Sequence, residues 1–289
     1  MIKAAIVGMG FWGQRLVNSV QESSHIRFVA GWTRTPAKAA EFAQRHNLRM
    51  FETYQQLLAD PGIDAVVLAT PHSTHAEQIV AAAAAGKHVF SEKPLTLDLA
   101  SARRAAQACR DRGVTLAVGY NWRFQPALQE IRRMIDDGRL GRVLHIEGNF
   151  CGPSNYRLAQ DFGADDTTSM LMRFAGGATA YLATVIATAE TWRMQVFGSK
   201  GWAEVGDVEH LKTWNLKVCT IGDDVWVKQK PVQMTFPEVS TERAELENFA
   251  AAAEKRQALV TPESDAVHNA AVLEAILASA STYTTVRIG

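Results

Sequence analysis

Four short segments carry residue types that can hold a nucleotide and move a hydride or a proton. The first is Gly8-Met9-Gly10-Phe11-Trp12-Gly13, a match to G-x-G-x-x-G that begins eight residues into the chain. It follows an apolar run and opens a helical one. In that context Gly8 allows the tight turn, Gly10 lets backbone approach a pyrophosphate, and Gly13 lets helix and strand pack closely. The helix N-terminus adds N–H groups and partial positive charge. Phe11 and Trp12 fill the variable positions and count with the glycines as candidate cofactor contacts.

The second segment is Trp32-Thr33-Arg34-Thr35, at the end of the next apolar run. NAD-binding folds place Asp or Glu there, ~20 residues past the glycines, to bond the ribose 2′-hydroxyl. No carboxylate stands here to repel a 2′-phosphate. Arg34 can pair with one and stack on adenine, and Thr33 can donate a hydrogen bond. NADP is therefore favoured over NAD, with a solvated loop arginine as the competing reading of Arg34. The third and fourth segments are Thr70-Pro71-His72-Ser73-Thr74-His75 and Glu92-Lys93-Pro94. Each lies past the carboxyl end of an apolar run, where open α/β sheets bind ligands. His72 and His75 are the histidines expected near a nicotinamide. Lys93 is the candidate donor to a substrate hydroxyl or carrier of its proton. A proline after Lys93 allows a cis bond that fixes the loop.

These segments need a scaffold, and the first 120 residues supply one. Strands are expected at 2–7, 27–32, 65–69, 88–90 and 115–118, and helices at 11–20, 36–46, 54–59, 74–85 and 96–112. Pro36 opens the second helix behind Thr35. Strand–helix alternation with short glycine-rich links predicts a doubly wound parallel sheet. After Gly119 the texture changes. A helix is expected at 126–136, then short alternating strands at 143–150, 167–174, 178–188, 192–197, 202–205, 211–218 and 226–232. Two helices, 242–256 and 264–281, close the chain. The expected organisation is α/β: a dinucleotide-binding domain over 1–120, and an α+β domain with an open, mainly antiparallel sheet over 121–289.

Composition narrows the function classes. The 289 residues carry 30 Lys+Arg and 30 Asp+Glu, so the net charge is zero. Such a chain has no global electrostatic reason to bind nucleic acid or an anionic membrane. A hydrophobic share of 47% is ample for a core. Cys109, Cys151 and Cys219 are too few and scattered for a disulfide framework or a zinc site, and no metal is expected. Without a signal-like start or a long apolar window, a cytoplasmic location is expected.

Taken together, the segments resemble the Gfo/Idh/MocA oxidoreductase family. The resemblance rests on the glycine fingerprint, on Thr70-Pro71 with His75, on Glu92-Lys93-Pro94, and on Gly119-Tyr120-Asn121-x-Arg123-Phe124-x-Pro126. Phe174-Ala175-Gly176-Gly177-Ala178 and Val196-Phe197-Gly198-Ser199-Lys200-Gly201 extend it over most of the chain. It implies a Rossmann domain joined to an open-sheet domain that commonly mediates dimers or tetramers. It also implies oxidation or reduction of sugars, polyols and related compounds with NAD or NADP. Carried over residue by residue, Lys93 is the catalytic lysine. Glu92, Lys93 and Pro94 line the nicotinamide side, and Asn121 and Arg123 sit near cofactor and substrate.

The chain departs from the family in one place. The family's second catalytic segment, resembling Gly-Gly-x-x-x-Asp-x-Gly-x-His-x-x-Asp, has no counterpart here. After Phe150-Cys151-Gly152-Pro153-Ser154-Asn155-Tyr156-Arg157 the chain passes directly to Asp161-Phe162-Gly163-Ala164-Asp165-Asp166-Thr167. The shortfall is on the order of 50 residues. Tyr156, Arg157, Asp165 and Asp166 are candidate substitutes, and Trp12, Trp122 and Trp192 candidate stacking surfaces. The alternatives to a dehydrogenase are an NADP-binding protein without turnover, serving as sensor or assembly partner, and a redox-assisted lyase or glycosidase.

Overall fold

The computed structural model describes residues 1–153 and 165–288. Contacts divide these into two compact units, residues 1–123 with 240–289, and residues 124–239.

The first unit is built on a six-stranded parallel sheet. Its strands are β1 (Ile2–Val7), β2 (Ile26–Trp32), β3 (Arg49–Met50), β4 (Ala65–Leu68), β5 (His88–Glu92) and β6 (Leu116–Gly119), in the order β3-β2-β1-β4-β5-β6. The chain starts in the middle and winds outward to both sides, so a topological switch point lies between β1 and β4. The connecting helices are α1 (Phe11–Ser19), α2 (Pro36–Arg45), α3 (Tyr54–Ala59), α4 (His75–Ala84) and α5 (Leu99–Asp111). Strands buried on both faces explain the unbroken apolar runs. Ala5, Val7, Val66, Leu68, Val89 and Leu116 join one core cluster. Their neighbours Ala4, Ile6, Val67, Phe90 and Ala117 join the other. The side-chain period of two thus splits each strand between the two cores.

Details of the elements differ from expectation for local reasons. α5 starts at Leu99 rather than at Thr96, because the Asp98 side chain accepts the Ser101 N–H at 2.7 Å and caps the helix there. Pro36 does open α2, but Thr35 makes no side-chain capping bond. The two-residue β3, not expected, pairs with Ala30 and Gly31.

The second unit holds α6 (Pro126–Asp136) and a seven-stranded sheet. Its strands are β7 (Val143–Cys151), β8 (Thr167–Arg173), β9 (Thr179–Val185), β10 (Thr191–Gly198), β11 (Gly201–Asp207), β12 (Asn215–Thr220) and β13 (Val232–Thr235). The order is β13-β12-β11-β10-β7-β9-β8, antiparallel except where β7 runs parallel to β9. The strands expected at 211–218 and 226–232 are corrected. Ladder pairing of the first begins only at Asn215, and it binds Val232–Thr235 across the sheet. Residues 226–231, despite their alternation, pair with no strand, and Trp226 is 90% exposed. Pro231, which has no N–H to give to a ladder, stands at that limit.

The last two helices, α7 (Thr241–Ala253) and α8 (Glu263–Thr282), were expected with residues 121–239 but group with the first unit. α7 places Leu246, Phe249, Ala250 and Ala253 in one core of the parallel sheet, and α8 places Ala266 and Ala270 in the other. No helix among the described residues is long and apolar enough to cross a membrane.

Candidate functional site

The site is assembled where the parallel strands end. Val7 leads into Gly8, whose φ is +92° and whose N–H donates to the Trp32 carbonyl at 2.8 Å. A Cβ on Gly8 would lie 2.6 Å from the Ala69 carbonyl oxygen, and one on Gly13 only 2.0 Å from the Gly8 carbonyl oxygen. Only glycine permits these approaches, which draw the loops after β1 and β4 together. Gly10 differs: a Cβ there would meet nothing within 4 Å. It faces open space at the N-terminus of α1, which has no acidic residue in its first turn. An open, side-chain-free cradle of N–H groups at the switch point fits a dinucleotide pyrophosphate. Phe11 is 80% exposed at its rim, and Trp12 is half-buried with the Arg15 guanidinium 5.6 Å from its ring.

Past β2, Thr33 is half-buried and Arg34 exposed. The adjacent Trp32 is held from behind, its indole N–H donating to the Glu52 carbonyl at 3.2 Å and its ring 6.0 Å from that of Tyr54.

Past β4, Thr70 donates to Gln78 at 2.6 Å and Thr74 to the Pro71 carbonyl at 2.7 Å, shaping a single 3₁₀ turn over His72–Thr74. His72 is exposed beside the turn. Partial burial, then the charges of His75 and Lys93, hold its imidazole below the usual histidine range. His75 is placed otherwise than expected. It is fully buried, with Nδ1 3.0 Å from the Pro94 carbonyl and 3.2 Å from Ser91 Oγ, and Nε2 3.0 Å from the Thr70 carbonyl. It ties the β4 and β5 loops together and presents no ring nitrogen to open space.

Past β5, Lys93 is exposed and the Lys93–Pro94 bond is cis. Glu92 beside it is 7% exposed, and its Oε2 accepts the Lys93 backbone N–H at 3.3 Å. Burial pushes this carboxyl up to about 7. The Lys93 charge opposes that shift, and Glu242 adds to it. The Trp12 indole N–H lies on the same carboxyl without forming a well-aligned hydrogen bond. Gly119 makes room for Glu92: a Cβ there would stand 2.9 Å from Oε1. Beyond β6, Asn121 donates to Thr241 Oγ1 at 3.5 Å, and Arg123 lies 3.7 Å from the Asp265 carboxylate.

The parallel sheet therefore brings the loops of Gly8–Gly13, Thr33–Arg34, Thr70–His72, Glu92–Pro94 and Asn121 to one edge. Other candidates fall elsewhere. Trp192 is buried in the second unit, its indole donating to Thr213 Oγ1 at 3.0 Å, so it is a core residue. Asp165 and Asp166 are exposed. Tyr156 and Arg157 lie outside the described residues. Among the described residues no group of three or more His, Cys, Asp or Glu could hold a metal ion.

Sequence reasoning missed Glu242 and Glu245. Arg15 Nε donates to Glu242 at 2.6 Å, and Glu245 is buried with both carboxyl oxygens lacking a partner. The available signal was spacing. With Leu246 and Phe249 they occupy positions i, i+3, i+4 and i+7 of one helix, a stripe that normally holds only apolar residues.

Residues 2–120 match the family model for the oxidoreductase family, NAD-binding Rossmann fold, and residues 151–288 that for the oxidoreductase family, C-terminal alpha/beta domain. The chain is 35% identical over 152 residues to scyllo-inositol 2-dehydrogenase (NAD(+)) of Bacillus subtilis, covering 51% of this chain and 44% of that one. It is 26% identical to D-xylose 1-dehydrogenase (NADP(+)) 2 of Haloferax volcanii, covering 94% and 95%. That alignment runs over 315 residues, more than this chain contains, so it opens gaps here. With several curated relatives, the chain shares less than half of their length. An aldose-aldose oxidoreductase from Caulobacter crescentus has the same fold, with a TM-score of 0.87, 23% identity and 99% of each chain covered.

Proposed function

The chain belongs to the Gfo/Idh/MocA oxidoreductase family, and from that premise we propose that it is an NAD(P)-dependent oxidoreductase acting on a sugar, polyol or related hydroxy or carbonyl compound. Its relatives include both NAD- and NADP-dependent dehydrogenases. The observation that carries the proposal is Lys93. It is an exposed amine on the cis-proline loop after β5, at the same sheet edge as the glycine cradle.

Gly8, Gly10 and Gly13 with the first turn of α1 would hold the pyrophosphate. Thr33 and Arg34 would hold the 2′-phosphate of NADP, the preferred cofactor. Phe11, Trp12, Thr70, Pro71, His72, Glu92, Pro94, Asn121 and Arg123 form the remaining cofactor edge. His75 acts one layer behind it, fixing the carbonyls of Thr70 and Pro94. The nicotinamide supplies the hydride acceptor for oxidation and the donor for reduction. Lys93 serves the substrate oxygen. As the ammonium it donates a hydrogen bond to that oxygen and stabilises negative charge developing there. As the amine it takes the hydroxyl proton during oxidation.

The test is a panel of sugars, polyols and aldehydes with NADPH and NADH, read at 340 nm. Turnover is expected with at least one, and Lys93→Met should lower kcat by about 10²-fold or more while NADPH binding persists. NADPH binding without turnover on any compound would refute it. It would favour the second reading, a nucleotide-binding protein without turnover, which the lack of the Gly-Gly-x-x-x-Asp-x-Gly-x-His-x-x-Asp segment supports. Tightly retained cofactor with substrate conversion but no net consumption would favour the redox-assisted lyase or glycosidase. The open sheet of the second unit, with Leu171 and Tyr181 paired across β8 and β9 and both exposed, supports a homodimer or homotetramer through that sheet. Three free thiols support a cytoplasmic location.

A further inference from the structure

Behind the loop of Lys93 lie three buried carboxyls from two elements: Glu92 at the end of β5, and Glu242 and Glu245 on α7, which packs against β5 and β6. Each is more than nine-tenths buried. Only one has a cation: Arg15 Nε donates to Glu242 at 2.6 Å, and the Thr241 hydroxyl donates to its other oxygen at 3.3 Å. Glu245 has neither. Both of its oxygens, and Oε1 of Glu92, are sealed from solvent without a hydrogen bond. Buried polar groups are almost always paired, and an ionised carboxylate sealed without a partner costs several kcal/mol. No metal-binding group exists among the described residues to relieve that cost. A proton relieves it, because a protonated carboxyl becomes an O–H donor.

We infer that Glu245 is a positioning residue: it shares one proton with Glu92 in a buried acid–carboxylate pair, and this pair holds Glu92 where its Oε2 receives the Lys93 N–H. The kinetic part of this inference rests on the dehydrogenase reading above. The charged groups facing Glu245 are consistent with it. They are Glu92 from β5 and Glu242 from its own helix, the latter neutralised by Arg15 from α1. Lys93, from the loop, acts on Glu92. Burial, then the charges of Glu92 and Glu242, raise the Glu245 carboxyl well above the usual range. Gly119 completes the arrangement, since any side chain there would displace the Glu92 carboxyl. The two acids titrate as a pair rather than as independent groups.

Glu245→Gln retains a donor toward Glu92, whereas Glu245→Leu fills similar volume without one. The apo protein at pH 7 is examined by infrared spectroscopy for a protonated-carboxyl band. Amide exchange at the Lys93 N–H, melting temperature and kcat are then followed in both variants. The band is expected in the wild type and lost in Glu245→Gln. Lys93 exchange should quicken at least tenfold in the Leu variant and recover in the Gln variant. The Leu variant should also melt lower, since Glu92 stays buried and loses its partner, and turn over at least tenfold more slowly with KM for NADPH unchanged. A purely structural role predicts the lower stability without the kinetic loss. Absence of the band at pH 7, or equal Lys93 exchange in the two variants, overturns the inference. If the wild type turns over no substrate, the dehydrogenase reading falls, while the band and the exchange rates still decide the proton pair.

Discussion

Glu92→Gln should stabilise the protein, and by an amount that grows with pH. Burial raises the Glu92 carboxyl from an ordinary 4.5 to about 7. Between those values the folded chain keeps a proton that the unfolded chain has released. Stability therefore falls as pH rises through this window and stays lowered above it. One pKa unit is worth about 1.4 kcal/mol, so the cost at pH 8 is about 3 kcal/mol. Glutamine has the shape of the protonated acid and never ionises, so the variant escapes this cost. Near pH 4.5 the two proteins should melt together. Above pH 7 the variant should melt higher by roughly 6–12 °C, taking 2–4 °C per kcal/mol for a unit of this size. Differential scanning calorimetry at half-unit steps from pH 4.5 to 8.5 measures the difference, in which the titration of groups not coupled to Glu92 cancels. A difference that stays constant across the range, or a variant less stable at pH 8, would refute the assignment of Glu92 as a buried, proton-retaining carboxyl.

Other perturbations test other parts of the site. Arg34→Asp should weaken NADPH binding by tenfold or more, because a charge-assisted bond is worth about 1.5–3 kcal/mol and the new carboxylate repels the 2′-phosphate; NADH binding should strengthen, as fluorescence titration would show. His75→Leu should lower stability by about 2–4 kcal/mol, since it strands the carbonyl, of Thr70 or Pro94, that accepts the ring N–H and uncouples two loops. Urea melts would register that loss, with faster proteolytic cleavage near residues 70–75.

Much of the first unit was readable because its constraints are local. Gly13 is dictated by the Gly8 carbonyl five residues away, and Gly8 by its positive φ and the neighbouring Ala69 carbonyl. The apolar runs of β1, β4 and β6 follow from burial on both faces. Where signals were weaker, reading failed for identifiable reasons. Residues 226–232 alternate as a strand does, yet pairing, not alternation, decides a strand, and β12 pairs instead with Val232–Thr235. His75 shares a motif with Thr70 and Pro71, but the motif does not say which side of the loop the ring faces. Its placement follows from the Pro94 carbonyl, nineteen residues away in the chain.

By itself the sequence determined the family, the two-sheet α/β architecture, the glycine turn after β1 and the identity of Lys93 as the candidate amine. Each of these is written in short segments whose geometry is set by backbone sterics and strand burial. Only the tertiary structure decided that residues 240–289 complete the first unit, and that α7 brings Glu242 and Glu245 behind Glu92. The reason is distance along the chain. A carboxyl on β5 and another on α7 are separated by some 150 residues, and nothing in either segment encodes the other. Folding buries Glu92 and Glu245 away from water, and burial raises both carboxyls above the usual range.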